Sequence, residues 1–309
     1  MSGFENINIL LAEPNVQIRR TVSDSLRQHG YHSIRDTGQT RVVREAVSED
    51  RLDVLITDVT LEGEDMCELL YGIRHHRAGT NPFLVTMALT ENPSVDVVRK
   101  VVNSGADDVL LKPVSVKQIL DRLGGLSKNR KGFVVTTDYI GPDRRKNGAR
   151  PGTQEIPVFN VPNPLLYKRS DSKADLAQVQ AAINAAARII NEQKMERHAF
   201  QVQYLVDEIV PRYSIGDVDA NLKGMVRRLV FVSEDLVRRM RGTDREHVRE
   251  LGESMIKVAQ AVHRNVDAPN IRDLHLLPEL SSAIKKAFDA DEKTAALAHD
   301  ISTSVGRIA

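Results

Sequence analysis

The chain has 309 residues, 41% of them hydrophobic and 28% charged, with a formal net charge of +1 at pH 7. That allows two ordinary globular cores and gives no overall field to draw in nucleic acid or a membrane surface. One cysteine, Cys67, excludes an internal disulfide framework and fits a reducing cytosol, and no apolar run approaches the roughly 18–20 residues of a membrane span. The start, Met1-Ser2-Gly3-Phe4-Glu5-Asn6, lacks the basic and apolar regions of a secretion signal, so a cytoplasmic protein is expected. Tryptophan is absent and aromatic residues are few, which argues against single-stranded nucleic-acid binding by base stacking.

From about residue 5 to 127, short apolar strands alternate with helical patterns, as in a parallel β/α sheet. A strand over Ile7–Leu11 is followed by a helix that begins after Pro14 and stops near Gly30. A weak strand near His32–Arg35 precedes a helix from about Thr40 to Ser48. The run Asp53-Val54-Leu55-Ile56-Thr57-Asp58 reads as a buried strand closed by a carboxylate. A helix carrying Leu69, Leu70 and Ile73, a strand over Phe83–Leu89 and a helix after Pro93 that buries Val97, Val98, Val101 and Val102 come next. A strand over Val109–Leu111 and a helix from about Val116 to Leu123, stopped by Gly124-Gly125, complete five β/α units.

Residues 128–171 change character, with repeated prolines and glycines and a basic cluster of Lys128, Arg130, Lys131, Arg144, Arg145, Lys146 and Arg150. The composition predicts a solvated, partly extended linker, with Phe133-Val134-Val135 able to add a strand to a neighbour. From residue 172 to 309 the pattern is helical. Leu176, Val179, Ile183, Ala186 and Ile190 recur near the 3.6-residue period in a first helix that ends at Pro211. A second carries Leu222, Met225, Leu229 and Leu236, and a third starts at a capping box formed by Thr243 and Glu246. A fourth (Leu280, Ile284, Ala287) and a fifth (Ala298, Ile301, Val305) follow, and together these helices predict a bundle.

Five residues fall at the ends of the predicted strands: Glu13 after the first, Asp58 after the third, Thr90 after the fourth, and Lys112-Pro113 after the fifth, which Gly105-Ala106-Asp107-Asp108 leads into. Open α/β sheets place ligands at these carboxyl ends. The order and spacing resemble the CheY-like receiver domain of bacterial two-component response regulators, with no gap between Glu13 and Asp58 or between Thr90 and Lys112. The resemblance implies a flavodoxin-like, doubly wound (βα)5 receiver domain over 5–127, followed by the linker and an all-α helical bundle. It makes Asp58 the phospho-acceptor, Thr90 the hydroxyl that follows the phosphoryl group, and Lys112 the phosphate-contacting cation. It assigns Mg²⁺ to Glu13, Asp58 and the backbone carbonyl of Thr60. The partner it implies is a sensor histidine kinase or a phosphotransfer protein.

The chain departs from that pattern twice. Pro14 stands where the family carries its second acid, so weaker Mg²⁺ binding is expected. Val109 stands where the family often has an aromatic rotor, so switching is expected to run through the loop after the fourth strand and its helix.

The helical half shows no compact helix-turn-helix in a basic setting and no cyclase, phosphodiesterase or ATPase motif. Arg227, Arg228, Arg238, Arg239 and Arg241 read as a solvated helix face. Asn221-Leu222-Lys223-Gly224 is similar to part of a histidine-phosphotransfer helix, but Asp219 occupies the histidine position. His198, His247, His263, His275 and His299 are scattered and read as core or surface histidines. The expected function is a response regulator with no catalysis beyond phosphoryl self-transfer and self-hydrolysis at Asp58. It signals through a downstream protein, with self-association of the helical half as a further expectation. The alternatives are a phosphorylation-independent scaffold, or a transcription regulator with an atypical helical output, although nucleic acid is not the expected partner.

Overall fold

The structure is a computed structural model and describes residues 4–49, 51–145, 156–170 and 176–289. The first part is a five-stranded parallel sheet of β1 (Ile9–Ala12), β2 (Ile34–Thr37), β3 (Val54–Asp58), β6 (Val85–Thr90) and β7 (Asp108–Leu111), ordered β2-β1-β3-β6-β7. That is the flavodoxin-like doubly wound order, whose ligand crevice lies outside the carboxyl ends of the strands.

Helices cover both faces because the strands are apolar on both sides. Leu10 and Ala12 of β1, Leu55 of β3 and Ala88 of β6 pack with α2 (Thr40–Ser48) and α3 (Met66–Arg74) on one face. Alternate residues Ile9, Leu11, Val54, Ile56, Val85 and Met87 pack with α1 (Val16–Gln28) and α5 (Val116–Lys128) on the other. A hairpin of β4 (Thr60–Leu61) and β5 (Glu64–Asp65) follows β3 directly.

Several expectations change in detail. In α4 (Val95–Asn103) only Val101 is fully buried, because the helix lies on the sheet by a single stripe. Gly124-Gly125 does not stop α5, which runs on to Lys128 from a capping box between Ser115 and Gln118.

The largest departure concerns residues 128–145 and 156–170, which form ordered structure against the first core instead of a solvated connector. A three-stranded antiparallel sheet of β8 (Phe133–Val135), β9 (Ile140–Pro142) and β10 (Val158–Phe159) is followed by α6 (Pro164–Ser170). Phe133, Val135 and Ile140 are buried, and Leu165 joins the α1/α5 core. Asp107, buried ahead of β7, explains the change. Arg130 donates to both of its oxygens at 2.9 and 3.0 Å, and Arg74 donates to Oδ2 at 2.9 Å. The remaining N–H groups of Arg74 go to the carbonyls of Gly105, Pro82 and Leu84 and the hydroxyl of Thr86. The Phe133 ring lies 5.1 and 5.2 Å from the two guanidinium carbons. Arg144 donates to the carbonyl of Ala106 at 2.6 Å, and Lys168 meets Asp53 at 2.5 Å. Residues 129–145 and 156–170 therefore form a strap across the amino ends of the strands, opposite the ligand-bearing end. Gly105, at φ 82°, is required beneath it: a Cβ there would lie 2.5 Å from the carbonyl oxygen of Ile140.

The chain divides into two compact units between Arg188 and Ile189, inside the single helix α7 (Leu176–Ser214). The second unit contains the rest of α7, α8 (Ala220–Met240), α9 (Arg249–Arg264) and α10 (Ile271–Asp289). Its core includes Val202, Val206, Ile209, Leu222, Val226, Leu229, Leu236, Met255 and Leu277. Pro211 does not end α7, which continues to Ser214; the proline forgoes the N–H that would have bonded the carbonyl of Asp207, a cost the packing of Val206 and Ile209 in the core offsets. Thr243 and Glu246 do not form the expected capping box. Glu246 instead accepts from the backbone N–H of Gly242, and a 3₁₀ turn over Glu246–Val248 leads into α9. The expected fifth helix lies outside the described residues.

Candidate functional site

Strand register assembles the site. Ala12 pairs with Thr57, so Glu13 emerges beside Asp58. Asp58 pairs with Leu89, one residue short of Thr90. Thr90 pairs with Leu111, and the N–H of Lys112 donates to the carbonyl of Thr90 at 2.8 Å. Four strand ends thus bring Glu13, Asp58, Thr90 and Lys112 to one edge, the first three buried and the Lys112 side chain only 7% exposed. The Lys112-Pro113 peptide bond is cis.

Lys112 bridges the two carboxylates. Its Nζ lies 2.6 Å from Glu13 Oε2 and contacts Asp58 Oδ2, while the exposed Glu91 is 3.9 Å away. Burial pulls the ammonium down, but hydrogen bonds and charge from Asp58 and Glu13 outweigh it and hold the group above the ordinary lysine range. The other oxygen of Asp58 accepts from the N–H of Thr60 at 2.8 Å. The other oxygen of Glu13 accepts from the N–H of Asn15 at 3.0 Å, past Pro14. Asn15 also caps α1, its side chain accepting from the N–H groups of Gln17 and Ile18.

The expected site residues therefore differ in what they do in this geometry. Glu13, Asp58 and Lys112 are in direct contact. Thr60 reaches Asp58 through its N–H. The Thr90 hydroxyl lies at the adjoining strand end but is engaged with Asn92, accepting from its N–H at 3.2 Å. Sequence reasoning missed Arg19, which donates to the carbonyls of Glu13 and Pro14 at 2.5 and 3.0 Å. It also missed Glu62, at φ 51°, whose carboxylate accepts from the N–H and hydroxyl of Thr40 and fixes the loop after Asp58 to α2. The position of Arg19, one turn into the first helix, is the only sequence sign of the former. Nothing local marks the latter, since its partner is 22 positions away.

The donor set suits a hard cation. It offers the two carboxylates of Glu13 and Asp58, all oxygen, and among the described residues no cluster of three or more His, Cys, Asp or Glu side chains competes for metal. Mg²⁺ takes oxygen ligands, commonly from one or two carboxylates, and keeps several waters, so these residues fit it.

The family profile described as the response regulator receiver domain matches residues 9–124. Residues 9–124 are a response regulator receiver domain. The chain is similar to part of a cyclic di-GMP phosphodiesterase of Thermotoga maritima, at 25% identity over 140 residues, 45% of this chain and 36% of that protein. It is also similar to the swarming motility regulation protein RssB of Serratia marcescens, at 26% identity over 139 residues, 44% of this chain and 59% of that protein. The matched segment thus spans only 36% and 59% of these two relatives. Among solved structures, Vibrio cholerae chemotaxis protein CheY4 aligns at 23% identity and a TM-score of 0.34, covering 38% of this chain and 96% of that one.

The second unit has a buried polar network of its own. His198 Nε2 and Asp235 Oδ2 are 2.9 Å apart. Arg239 donates to the same oxygen at 2.8 Å and Arg238 to the other at 2.6 Å. Burial pulls the imidazole of His198 down to about 4, overriding the attraction of Asp235. Among the described residues its Nδ1 is buried without a hydrogen-bond partner, as fits a neutral ring donating from Nε2. Asp219 caps α8 by accepting from the N–H of Leu222. Among the described residues no helix is long and apolar enough to cross a membrane.

Proposed function

We propose that this chain is a phospho-accepting response regulator of the cytosol, in which Asp58 takes a phosphoryl group from a phosphohistidine of a sensor kinase or phosphotransfer protein. The helical unit then passes the change on to a downstream protein. The observation that carries this reading is the buried Lys112 ammonium spanning Glu13 and Asp58 at the carboxyl end of the sheet. An Asp58 oxygen attacks phosphorus and forms an acyl phosphate; the phosphorus–nitrogen bond breaks, and the imidazole keeps the electron pair and takes a proton from water. Phosphoryl transfer needs positioning and cancellation of charge more than covalent help. Lys112 supplies a fixed cation for the phosphoryl oxygens. The Thr60 N–H orients Asp58 before attack. Thr90 leaves Asn92 to donate to a phosphoryl oxygen, which moves the loop into α4. Mg²⁺, held by Glu13, Asp58 and the Thr60 carbonyl, supplies further charge neutralisation when bound.

The experiment is Mg²⁺-dependent beryllofluoride binding followed by amide NMR, in wild type and Asp58→Asn. Shifts at Asp58, Thr90 and Lys112 that require Mg²⁺ and vanish in Asp58→Asn are expected. A folded protein with no shift at millimolar Mg²⁺ would sink the proposal and favour a scaffold that works without phosphorylation.

A further inference from the structure

We infer that the outer face of α7 is a self-association surface, and that its occupant is a second copy of this chain packed antiparallel across a two-fold axis beside Val202. The inference is independent of the chemistry at Asp58.

The core-facing stripe of this helix is Met195, Ala199, Val202, Val206 and Ile209, all buried. The opposite stripe carries two large exposed aromatic side chains, which a helix with only one partner layer does not need. Phe200 is 63% exposed and Tyr204 53%, one turn apart. On the neighbouring helix Phe231 is 38% exposed, and Arg228 lies over its ring at 5.3 Å while donating to Gln201 of α7 at 3.4 Å. The three aromatic rings thus belong to one two-helix face.

What should cover that face follows from the charges that flank the aromatic pair. Arg197 lies one turn before Phe200, and Glu208 one turn after Tyr204. The Nε of Arg197 is buried and finds no hydrogen-bond partner among the described residues, and Glu208 is exposed. The pairs Phe200/Tyr204 and Arg197/Glu208 share almost the same midpoint, next to Val202. A two-fold axis there sets Phe200 against the second copy's Tyr204, and Arg197 opposite the second copy's Glu208, each twice. The surface is complementary to itself, as an isologous interface requires. Aromatic pairs at the centre with ion pairs at the rim is the usual division of an interface. A polyanion fits less well, because Asp207 and Glu208 lie on the same stripe and would repel phosphate.

The test is sedimentation velocity of the full chain, from low micromolar to its highest soluble concentration. Wild type is expected to dimerise reversibly. Phe200→Ala with Tyr204→Ala should raise the dissociation constant about tenfold or more. Since both positions are exposed, circular dichroism and the melting temperature should hardly change. Arg197→Glu and Glu208→Arg should each weaken the dimer, and the two together should restore it, a recovery that general destabilisation would not produce. A wild type that stays monomeric throughout overturns the inference. So does a dimer indifferent to the aromatic double variant, or one that the paired charge reversal fails to rescue.

Discussion

Two carboxylates and one ammonium share the buried end of the receiver sheet, so this site carries one net negative charge before any ligand arrives. Pro14 removes the second acid, and Asn15 turns back onto Glu13 instead. Replacing Pro14 with Asp should therefore tighten Mg²⁺ binding about tenfold or more, read by calorimetric titration, because it adds a hard oxygen ligand beside two others. Lys112→Ala should have the opposite balance: it leaves Glu13 and Asp58 facing each other without a counter-charge and should abolish beryllofluoride binding even where Mg²⁺ binds. In the second unit the pH dependence runs through His198. Its folded value, about 4, lies below the ordinary histidine value. Between those values the unfolded chain binds the extra proton and the folded protein does not, so stability falls as pH drops from about 6.5 toward 4. The loss should approach about 3 kcal/mol and should be much smaller in His198→Gln, measured by urea titration at both pH limits. The identities and order of Glu13, Asp58, Thr90 and Lys112 were legible in the sequence because each closes an apolar run. The partner of His198 was not, since Asp235 lies on another helix and is reached only through packing.

At the scale of elements, the strands were readable from composition: both faces of a parallel sheet are buried, so its strands are continuous apolar runs. Helix ends were less legible. Gly124-Gly125 carries the local signal of a stop, yet the packing of Ile119 and Leu123 carries α5 past it. The strap was misread for a related reason. Proline, glycine and arginine look like linker when their partners are unknown, and the partner of Arg130 is Asp107, which reads locally as part of a turn. Two substitutions separate a packed strap from a solvated connector. Phe133→Ala removes a fully buried ring from beneath two guanidinium groups and should cost about 3–5 kcal/mol of receiver stability. Val158→Ser, on the half-exposed edge of the same sheet, should stay within about 0.5 kcal/mol of wild type. Urea denaturation of the two variants side by side makes the comparison, and equal, negligible effects would contradict the packing described.

At the scale of the molecule, the chain has two cores with different titrating groups, so calorimetric unfolding should not follow a single two-state transition. Beryllofluoride with Mg²⁺ at about 100 times its dissociation constant should stabilise the receiver by about 2.7 kcal/mol, whereas acidification should act first on the unit holding His198. A single transition that answers to both treatments alike would show that the two cores unfold together. The existence of two parts was evident from the switch between strand–helix alternation and uninterrupted helix. Their division inside α7 was not, because no glycine or proline lies near Arg188 to mark where the helix's neighbours change. The strap also changes what counts as the exchangeable piece of this protein. A hybrid regulator joined after residue 127 would carry the whole phosphoryl site and every strand of the parallel sheet, yet leave the Arg74–Asp107 pair and Phe83 uncovered. Grafting this receiver onto another output, or borrowing its output for another receiver, calls for a junction beyond residue 170, so that Phe133, Arg144 and Lys168 travel with the sheet they close.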